Sequence, residues 1–445
     1  MCGIAGLVGT RPVNRDAVAA MTALLAHRGP DDDGLWANDA GTVAFGHRRL
    51  AVIDPAPEGR QPMADAAGEV VITFNGEIYN YLELADELQV AGARFRTATD
   101  TEVILQAWRV WGEDCVSRFN GMFAFALYDA RTQTLFCARD RFGEKPFLFA
   151  RGAGFVAFAS EFKALFALSD LAVDPDDARI AGFLADPGAS LDFGPGTAFR
   201  GIEQLRPGEC MTVDCNDLRI ERRTYWTPEP DPALSRLSFD DAVAAFRELA
   251  ANSVWLRMRA DVPLGSCLSG GLDSGSIYGL VRDVVGDETA YHVFTGLFPG
   301  SDADEGEYAD EIAARGNAVR HEVAPDPDRL LAELADFAWH NELPVDSASQ
   351  YAQWCVFRLA KENGVTVLLD GQGADEILGG YEQYFAAYLA SRAADGARTE
   401  AEEQAIRARY PLALSMHDQA WKRKAPLGLR RLAARLTGKG SDVRF

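Results

Sequence analysis

Val262–Leu280 reads VPLGSCLSGGLDSGSIYGL. The run Val262–Leu268 is apolar or small, a serine- and glycine-rich loop follows at Ser269–Ser274, and helical spacing resumes over Ile277–Val285. A strand–loop–helix passage of this kind is a unit of a mostly parallel α/β sheet, whose ligands sit at the carboxyl ends of the strands. The alternation continues on both sides. Phe239–Arg257 has a helical pattern, Ala290–Thr295 reads as a strand, Glu307–Arg315 as a helix and Val365–Leu369 as a strand. Just upstream, TPEPDPALSRLS at Thr227–Ser238 has the proline-rich, acidic composition of a linker.

Residues 2–210 read differently. Short apolar runs at Ile4–Val8, Val70–Phe74, Phe123–Leu127 and Leu135–Ala138 are separated by Gly, Asn and Asp turns. Helical spacing appears at Ala17–Ala26 and Thr101–Trp111. This mixture predicts an α+β domain with helices packed on sheets. The expected organisation is therefore a first domain over 2–210, a connection over 211–238 and a second domain over 239–445.

Composition excludes several function classes. The 445 residues include 44 Lys+Arg and 66 Asp+Glu, a formal net charge of −22. That balance argues against nucleic acid or a membrane surface as partner. No apolar run approaches the roughly 18 residues of a membrane span, and MCGIAGLVGT has neither the basic start nor the apolar length of a signal peptide. Seven cysteines occur singly, at positions 2, 115, 137, 210, 215, 267 and 355. An odd count without CxxC spacing is not a disulfide framework or a zinc site. The expected compartment is the cytoplasm.

Two segments of the second domain carry chemistry. In Ser269–Ser274 (SGGLDS), two glycines free successive backbone N–H groups to cradle an anion at a helix start. Asp273 would repel a bare phosphate, so it suggests Mg²⁺ between carboxylate and phosphates. A second acidic loop, DGQGADEILGGY at Asp370–Tyr381, follows the Val365–Leu369 strand. At the other end of the chain, Cys2 follows the initiator Met. With Met1 removed, one residue carries a thiol and a free α-amine whose intrinsic pKa lies near ~8, low enough to act as a base.

A cysteine at position 2 says little alone; its company says more. MCGIAG is followed by HRGPDD (His27–Asp32), GHRRLAVID (Gly46–Asp54), FNGEIYNY (Phe74–Tyr81) and TDTEVIL (Thr99–Leu105). RDRFGEKPFLF (Arg139–Phe149) and ASEFKAL (Ala159–Leu165) come next. The chain thus resembles the class II glutamine amidotransferases, in the glutamine-hydrolysing asparagine synthetase branch. SGGLDS similarly resembles the pyrophosphate loop of ATP pyrophosphatases. The resemblance implies an N-terminal nucleophile hydrolase sandwich followed by a parallel-sheet ATP-pyrophosphatase domain.

It also implies roles. Cys2 would attack the side-chain amide of glutamine, with Asn75 and Gly76 donating to the oxyanion. Arg49 would grip the glutamine carboxylate, Glu77 and Asp100 its ammonium, and the backbone of Arg49, Leu50, Ala51, Val52 and Ile53 would line the pocket. His27 and His47 are expected to be structural, since the terminal amine already supplies a base. ATP would meet Leu268, Ser269, Gly270, Gly271, Asp273, Ser274, Thr295, Asp370 and Gly371, and Mg²⁺ would be held by Asp273 and Asp375. The implied reaction activates aspartate as an acyl-adenylate, releases AMP and pyrophosphate, and yields asparagine with glutamine-derived ammonia. Relatives are often dimers, so a homodimer or a completing partner chain is a further expectation.

Two departures matter. Gln372 stands where the best-known members of the family carry Glu, and a neutral amide cannot serve as a base. Nothing after Met416 matches the family's later helical motif with its pyrophosphate-stabilising lysine, for which Lys422, Lys424 and Lys439 are candidates by charge alone. The sequence therefore also admits a ligase for another carboxylate, or a chain that hydrolyses glutamine only.

Overall fold

Strand Gly3–Gly9 is buried along its whole length. It pairs antiparallel with Val43–Arg49 on one side and with Phe155–Ala159 on the other. These strands centre a six-stranded sheet ordered Ile202–Gln204, Leu148–Gly152, Phe155–Ala159, Gly3–Gly9, Val43–Arg49, Asp32–Ala37. A second six-stranded sheet runs Ile220–Thr224, Glu209–Asp214, Thr134–Arg139, Gly121–Asp129, Val70–Ile78, Met63–Ala64. The computed structural model describes residues 1–410 apart from 187–190, 192–193, 302–303, 383, 395 and 397–398. Lys422, Lys424 and Lys439 lie outside the described residues.

The two-residue period of the strands sorts their side chains. Ile4, Val8, Val43 and Phe45 of the first sheet meet Val71, Ala124, Ala126 and Tyr128 of the second between the layers. The alternate residues face outward under helices. Ala5, Leu7 and Ala44 pack with Val18 and Met21 of helix Arg15–Ala23. Val70, Ile72 and Phe74 pack with Val103, Ile104 and Ala107 of helix Asp100–Trp111. The result is the expected α+β sandwich, helices outside two sheets. Each fully buried Phe or Ile there contributes roughly 1.5–3 kcal/mol.

The same period places chemistry. Cys2 is in phase with Ile4 and Val8, His47 and Arg49 with Phe45, and Asn75 and Glu77 with Val71. All five positions therefore share the space between the sheets, at one end of the sandwich.

Downstream, the expected parallel sheet is present. Its order is Ala318–Val323, Tyr291–Gly296, Leu264–Cys267, Val367–Leu369, and every pairing is parallel. One face carries Val254, Tyr278, Val281, Ala309 and Ala313, and the other Val356 and Ala360. Helices thus cover both faces. The strand order reverses beside Leu264–Cys267, the kind of crevice where open α/β sheets bind ligands.

Two boundaries differ from expectation. Glu209–Asp214 pairs with Thr134–Arg139 and with Ile220–Thr224, so the second sheet continues to Thr224. A first-domain limit at 210 would cut a paired strand, and the connection starts after that sheet. The chain also forms two compact units, one over residues 1–369 and another beginning at Asp370. Helices Ala374–Leu378, Tyr384–Ala394 and Glu400–Arg409 belong to the latter.

Within the first unit the two sheet systems are tied together. Arg259 donates to the Tyr79 carbonyl at 2.7 Å and pairs with Glu83. Asp261 accepts from the Asp54 N–H at 2.8 Å, and its own N–H donates to Val52 O at 3.0 Å. The Arg257 guanidinium lies 4.5 Å from the Tyr79 ring centre. Among the described residues, no helix is long and apolar enough to cross a membrane.

Candidate active site

Cys2 is 9% exposed. Its sulfur accepts from the Leu50 N–H at 3.4 Å and faces the Leu50 carbonyl at 3.6 Å. Its own carbonyl accepts from Arg28 Nε at 2.8 Å. Burial pushes the thiol pKa up, while the neighbouring terminal amine, the Leu50 N–H and Arg28 pull it down. The α-amine, carried here by Met1, is lowered to about 5, first by burial and then by the positive charges of Arg28 and Lys145. A neutral amine beside a thiol can accept its proton.

Asn75 is completely buried, and among the described residues neither polar atom of its side chain has a hydrogen-bond partner. A buried carboxamide without partners is costly, which marks it for a ligand. Gly76 follows because nothing larger fits. A Cβ there would lie 2.2 Å from the Met122 carbonyl oxygen and 2.7 Å from the Phe123 Cα, both backbone atoms.

Glu77 and Asp100 are both buried carboxylates. Burial first, then the charge of Asp100, raises Glu77 to about 7, with Lys145 and the terminal amine opposing. Burial raises Asp100 to about 7 as well, although it accepts from the Ile78 N–H at 2.9 Å and feels Arg49. Two neighbouring carboxylates held this high are short of positive charge, and a ligand ammonium would supply it.

Arg49 is also buried, but its guanidinium braces the adjacent loop. It donates to the carbonyls of Ala56 at 3.0 Å, Asp54 at 2.6 Å and Ile53 at 3.5 Å. Asp54 holds a positive φ of 48° in that loop. The Ala51 N–H donates to Asp31 at 2.8 Å. Residues 50–53 therefore form a tied wall, with several of their backbone polar groups already engaged.

His47 is buried with Nδ1 3.0 Å from Thr73 Oγ1, and its pKa falls to about 3 through burial and Arg49. It stays neutral, as a structural residue would. His27 lies 3.0 Å from Glu161. Arg28, which the fold brings to the Cys2 carbonyl, and Lys145, whose Nζ lies 3.0 Å from Met1 Sδ, have no part in the roles that the motifs imply. Lys145 is 6% exposed, with its pKa lowered by burial and opposed by Glu77 and Glu144. Asp140 shapes that segment by accepting from the N–H groups of Phe123, Phe142, Glu144 and Lys145. The signal was present in HRGPDD and RDRFGEKPFLF, where basic residues sit beside turn-forming Gly and Pro.

The second candidate site follows strand Leu264–Cys267. Gly270 has φ +93°, and a Cβ there would lie 2.5 Å from the Glu305 carbonyl oxygen. Gly271 caps helix Leu272–Val285 without a side-chain hydrogen bond. A helix start without such a cap is a place that suits an anion. Ser269 and Ser274 hydroxyls lie 3.0 Å apart, and Ser269 Oγ accepts from the Gly271 N–H at 3.2 Å. Asp273 is half-buried in the first helical turn. These donors, with one carboxylate among them, fit a phosphate chain accompanied by a divalent cation.

Leu268 and Thr295 end neighbouring parallel strands. The Leu268 N–H donates to Phe294 O at 2.9 Å, and its carbonyl accepts the Thr295 hydroxyl at 2.7 Å. What Leu268 can offer a base is its remaining carbonyl lone pair. In the second unit, Asp370 and Gly371 are half-buried, Gln372 is exposed in a turn, and Asp375 lies in the first turn of its helix.

Comparisons with known proteins agree with both halves. Residues 1–226 match the glutamine amidotransferase domain family, and residues 245–442 match the asparagine synthase family. Asparagine synthetase (glutamine-hydrolyzing) 3 of Bacillus subtilis is 34% identical, over 88% of this chain and 65% of its own length. A Methanocaldococcus jannaschii protein, provisionally named asparagine synthetase (glutamine-hydrolyzing) 2, is 31% identical over 87% of this chain and 77% of its own. Amidase chry2 of Gibberella zeae is 32% identical over 86% of this chain and 60% of its own. The chain therefore spans between 60% and 77% of the length of these three relatives. With an amidotransferase sandwich and a synthase sheet on one polypeptide, this chain belongs to the glutamine-hydrolysing asparagine synthetase family.

Proposed function

We propose that this chain forms an amide from a carboxylate, ATP and glutamine-derived ammonia, with aspartate as acceptor and asparagine as product. One observation carries the glutaminase half: the buried side chain of Asn75, unpartnered among the described residues, shares the inter-sheet face with Cys2. After loss of Met1, the Cys2 thiol attacks the glutamine side-chain carbonyl and its proton passes to the α-amine. The oxyanion meets Asn75 Nδ2 and the Gly76 N–H. Collapse expels ammonia, which takes that proton back, and water then releases glutamate from the thioester. Removing one oxyanion donor costs about 10²–10³ in kcat, so Asn75→Ala is expected to cut glutamate release by that factor with little change in KM. A kcat within two-fold of wild type would end this assignment.

Glu77 and Asp100 give the pH dependence its sign. Both lie near 7 without ligand, and their anionic forms attract the glutamine ammonium. Lys145, Arg49 and the terminal amine face the same pair. As pH falls through about 7 the carboxylates protonate and lose that attraction. KM for glutamine is therefore expected to rise below that point; steady-state kinetics at fixed ionic strength checks it, and a flat profile contradicts it.

In the second half, the N–H groups at the start of helix Leu272–Val285 and the hydroxyls of Ser269 and Ser274 would bind the phosphates of ATP. Asp273 would hold Mg²⁺, which when bound supplies positive charge to those phosphates. The part of Asp375 in metal binding, and of Asp370 and Gly371 in nucleotide binding, rests on the family motif. Attack of the carboxylate on the α-phosphorus releases pyrophosphate, and ammonia then displaces AMP from the acyl-adenylate.

Gln372 favours a second reading in which the acceptor is another carboxylate, since the family's Glu is replaced and a relative 32% identical to this chain is named an amidase. The test is pyrophosphate release from purified protein with glutamine, ATP and Mg²⁺. Dependence on aspartate supports the first reading. Release that needs a different carboxylate supports the second.

A further inference from the structure

We propose that Glu342, on the synthase side, positions the thiol site through the ion-pair chain Glu342–Lys163–Glu161–Arg28, which ends on the Cys2 carbonyl. The proposal rests on the glutaminase reading above. Each link is close. Glu342 Oε1 lies 3.0 Å from Lys163 Nζ, which donates to Glu161 Oε2 at 2.6 Å. Glu161 Oε1 accepts from Arg28 Nη1 at 2.8 Å, and Arg28 Nε donates to the Cys2 carbonyl at 2.8 Å. The four side chains are between 8% and 12% exposed, so water cannot readily replace a missing partner.

The position of Glu342 supports a role for its charge. It caps helix Pro327–Asn341 at φ +63°, a backbone state that glycine or asparagine adopts more easily. Its carboxylate nevertheless accepts from the N–H groups of Phe162 and Lys163 at 2.8 and 2.7 Å, next to Glu161. The same helix end presses on the chain from the side. Trp339 lies 4.5 Å from Lys163 Nζ and 4.8 Å from the His27 ring, and the His340 ring is 5.0 Å from His27. With Glu342 neutral, Lys163 has one carboxylate instead of two and competes with Arg28 for Glu161. The Arg28 fork, and with it the Cys2 backbone, loses its fixed orientation.

Glutamine hydrolysis by the full chain tests this with Glu342→Gln, Lys163→Gln and the double variant. For either single change, kcat should fall about ten- to a hundred-fold while KM stays within about two-fold, since a displaced nucleophile slows the chemical step. The double variant should be no slower than the slower single one, as members of one chain are not additive. Glu342→Asp should recover part of the loss, and thermal unfolding midpoints should stay near wild type. Wild-type kcat in Glu342→Gln, or losses that multiply in the double variant, would overturn the chain while leaving the glutaminase reading intact. Should Glu342→Gln fail to fold, wild-type kcat in Lys163→Gln overturns it equally. A wild-type protein that releases no glutamate removes both.

Discussion

Replacing Cys2 with alanine is expected to abolish glutamine hydrolysis, lowering glutamate release by about 10⁴-fold or more. That corresponds to roughly 5 kcal/mol of lost transition-state stabilisation. The thiol alone supplies the bond-forming atom, so no neighbour can stand in for it. What the substitution leaves behind is the oxyanion pair, Asn75 and Gly76, whose residual contribution sets the background. The fold should tolerate the change, because the backbone carbonyl keeps its hydrogen bond from Arg28 and only the long contacts of the sulfur with the Leu50 N–H and carbonyl, at 3.4 and 3.6 Å, are lost.

The informative half of the experiment is what survives. Amide synthesis with added ammonia in place of glutamine should persist in Cys2→Ala, since nothing in Ser269–Ser274 or the Leu264–Cys267 strand depends on a thiol in the other sheet system. Loss of both activities would contradict a division into an ammonia-producing and an ammonia-consuming site. Mass spectrometry of the native chain is the companion measurement. A retained Met1 would block the amine proposed as the base, and the glutaminase reading would fall with it.

How much of this was legible in the sequence differs by residue. Asn75, Gly76, Glu77 and Asp100 were nominated by motif, and the strand period explains why the first and third share a face with Cys2. The central strands Gly3–Gly9, Val70–Ile78 and Gly121–Asp129 announced themselves as apolar runs, since both of their faces are covered. Strand Ala318–Val323 (AVRHEV) did not, because it edges the sheet and carries three consecutive polar residues, Arg320, His321 and Glu322. The part of the second sheet that falls within 211–224, expected as connection, was hidden for a related reason. ECMTVD looks like a polar connection until its partner Thr134–Arg139 is known, a pairing across more than sixty residues that leaves no local trace, and IERRT is a strand only because it pairs in turn with ECMTVD. Glu342 was illegible altogether, since its meaning lies in Lys163, nearly 180 residues away. Motifs thus exposed the groups that would touch substrate. The groups that hold them came from tertiary contacts alone.

The Asp273→Ala substitution should give the second large effect, and in the opposite half of the molecule. Pyrophosphate release is expected to fall by at least about a hundred-fold, because a carboxylate that holds the metal directly matters more than the outer partners whose loss costs 10–100-fold. Glutamine hydrolysis should remain. The reasoning is electrostatic. A half-buried carboxylate in the first turn of a helix, among N–H groups otherwise suited to an anion, opposes phosphate binding unless a divalent cation lies between them. If repulsion were all that Asp273 contributed, alanine would tighten nucleotide binding and leave turnover intact or improved. If it holds Mg²⁺, turnover falls and recovers in part as Mg²⁺ is raised, because the weakened site fills again by mass action. Titrating Mg²⁺ against pyrophosphate release therefore separates the two by the direction of the change. A variant with wild-type turnover and an unaltered Mg²⁺ dependence would remove the metal from this loop and leave its two glycines and two serines to bind phosphate unaided.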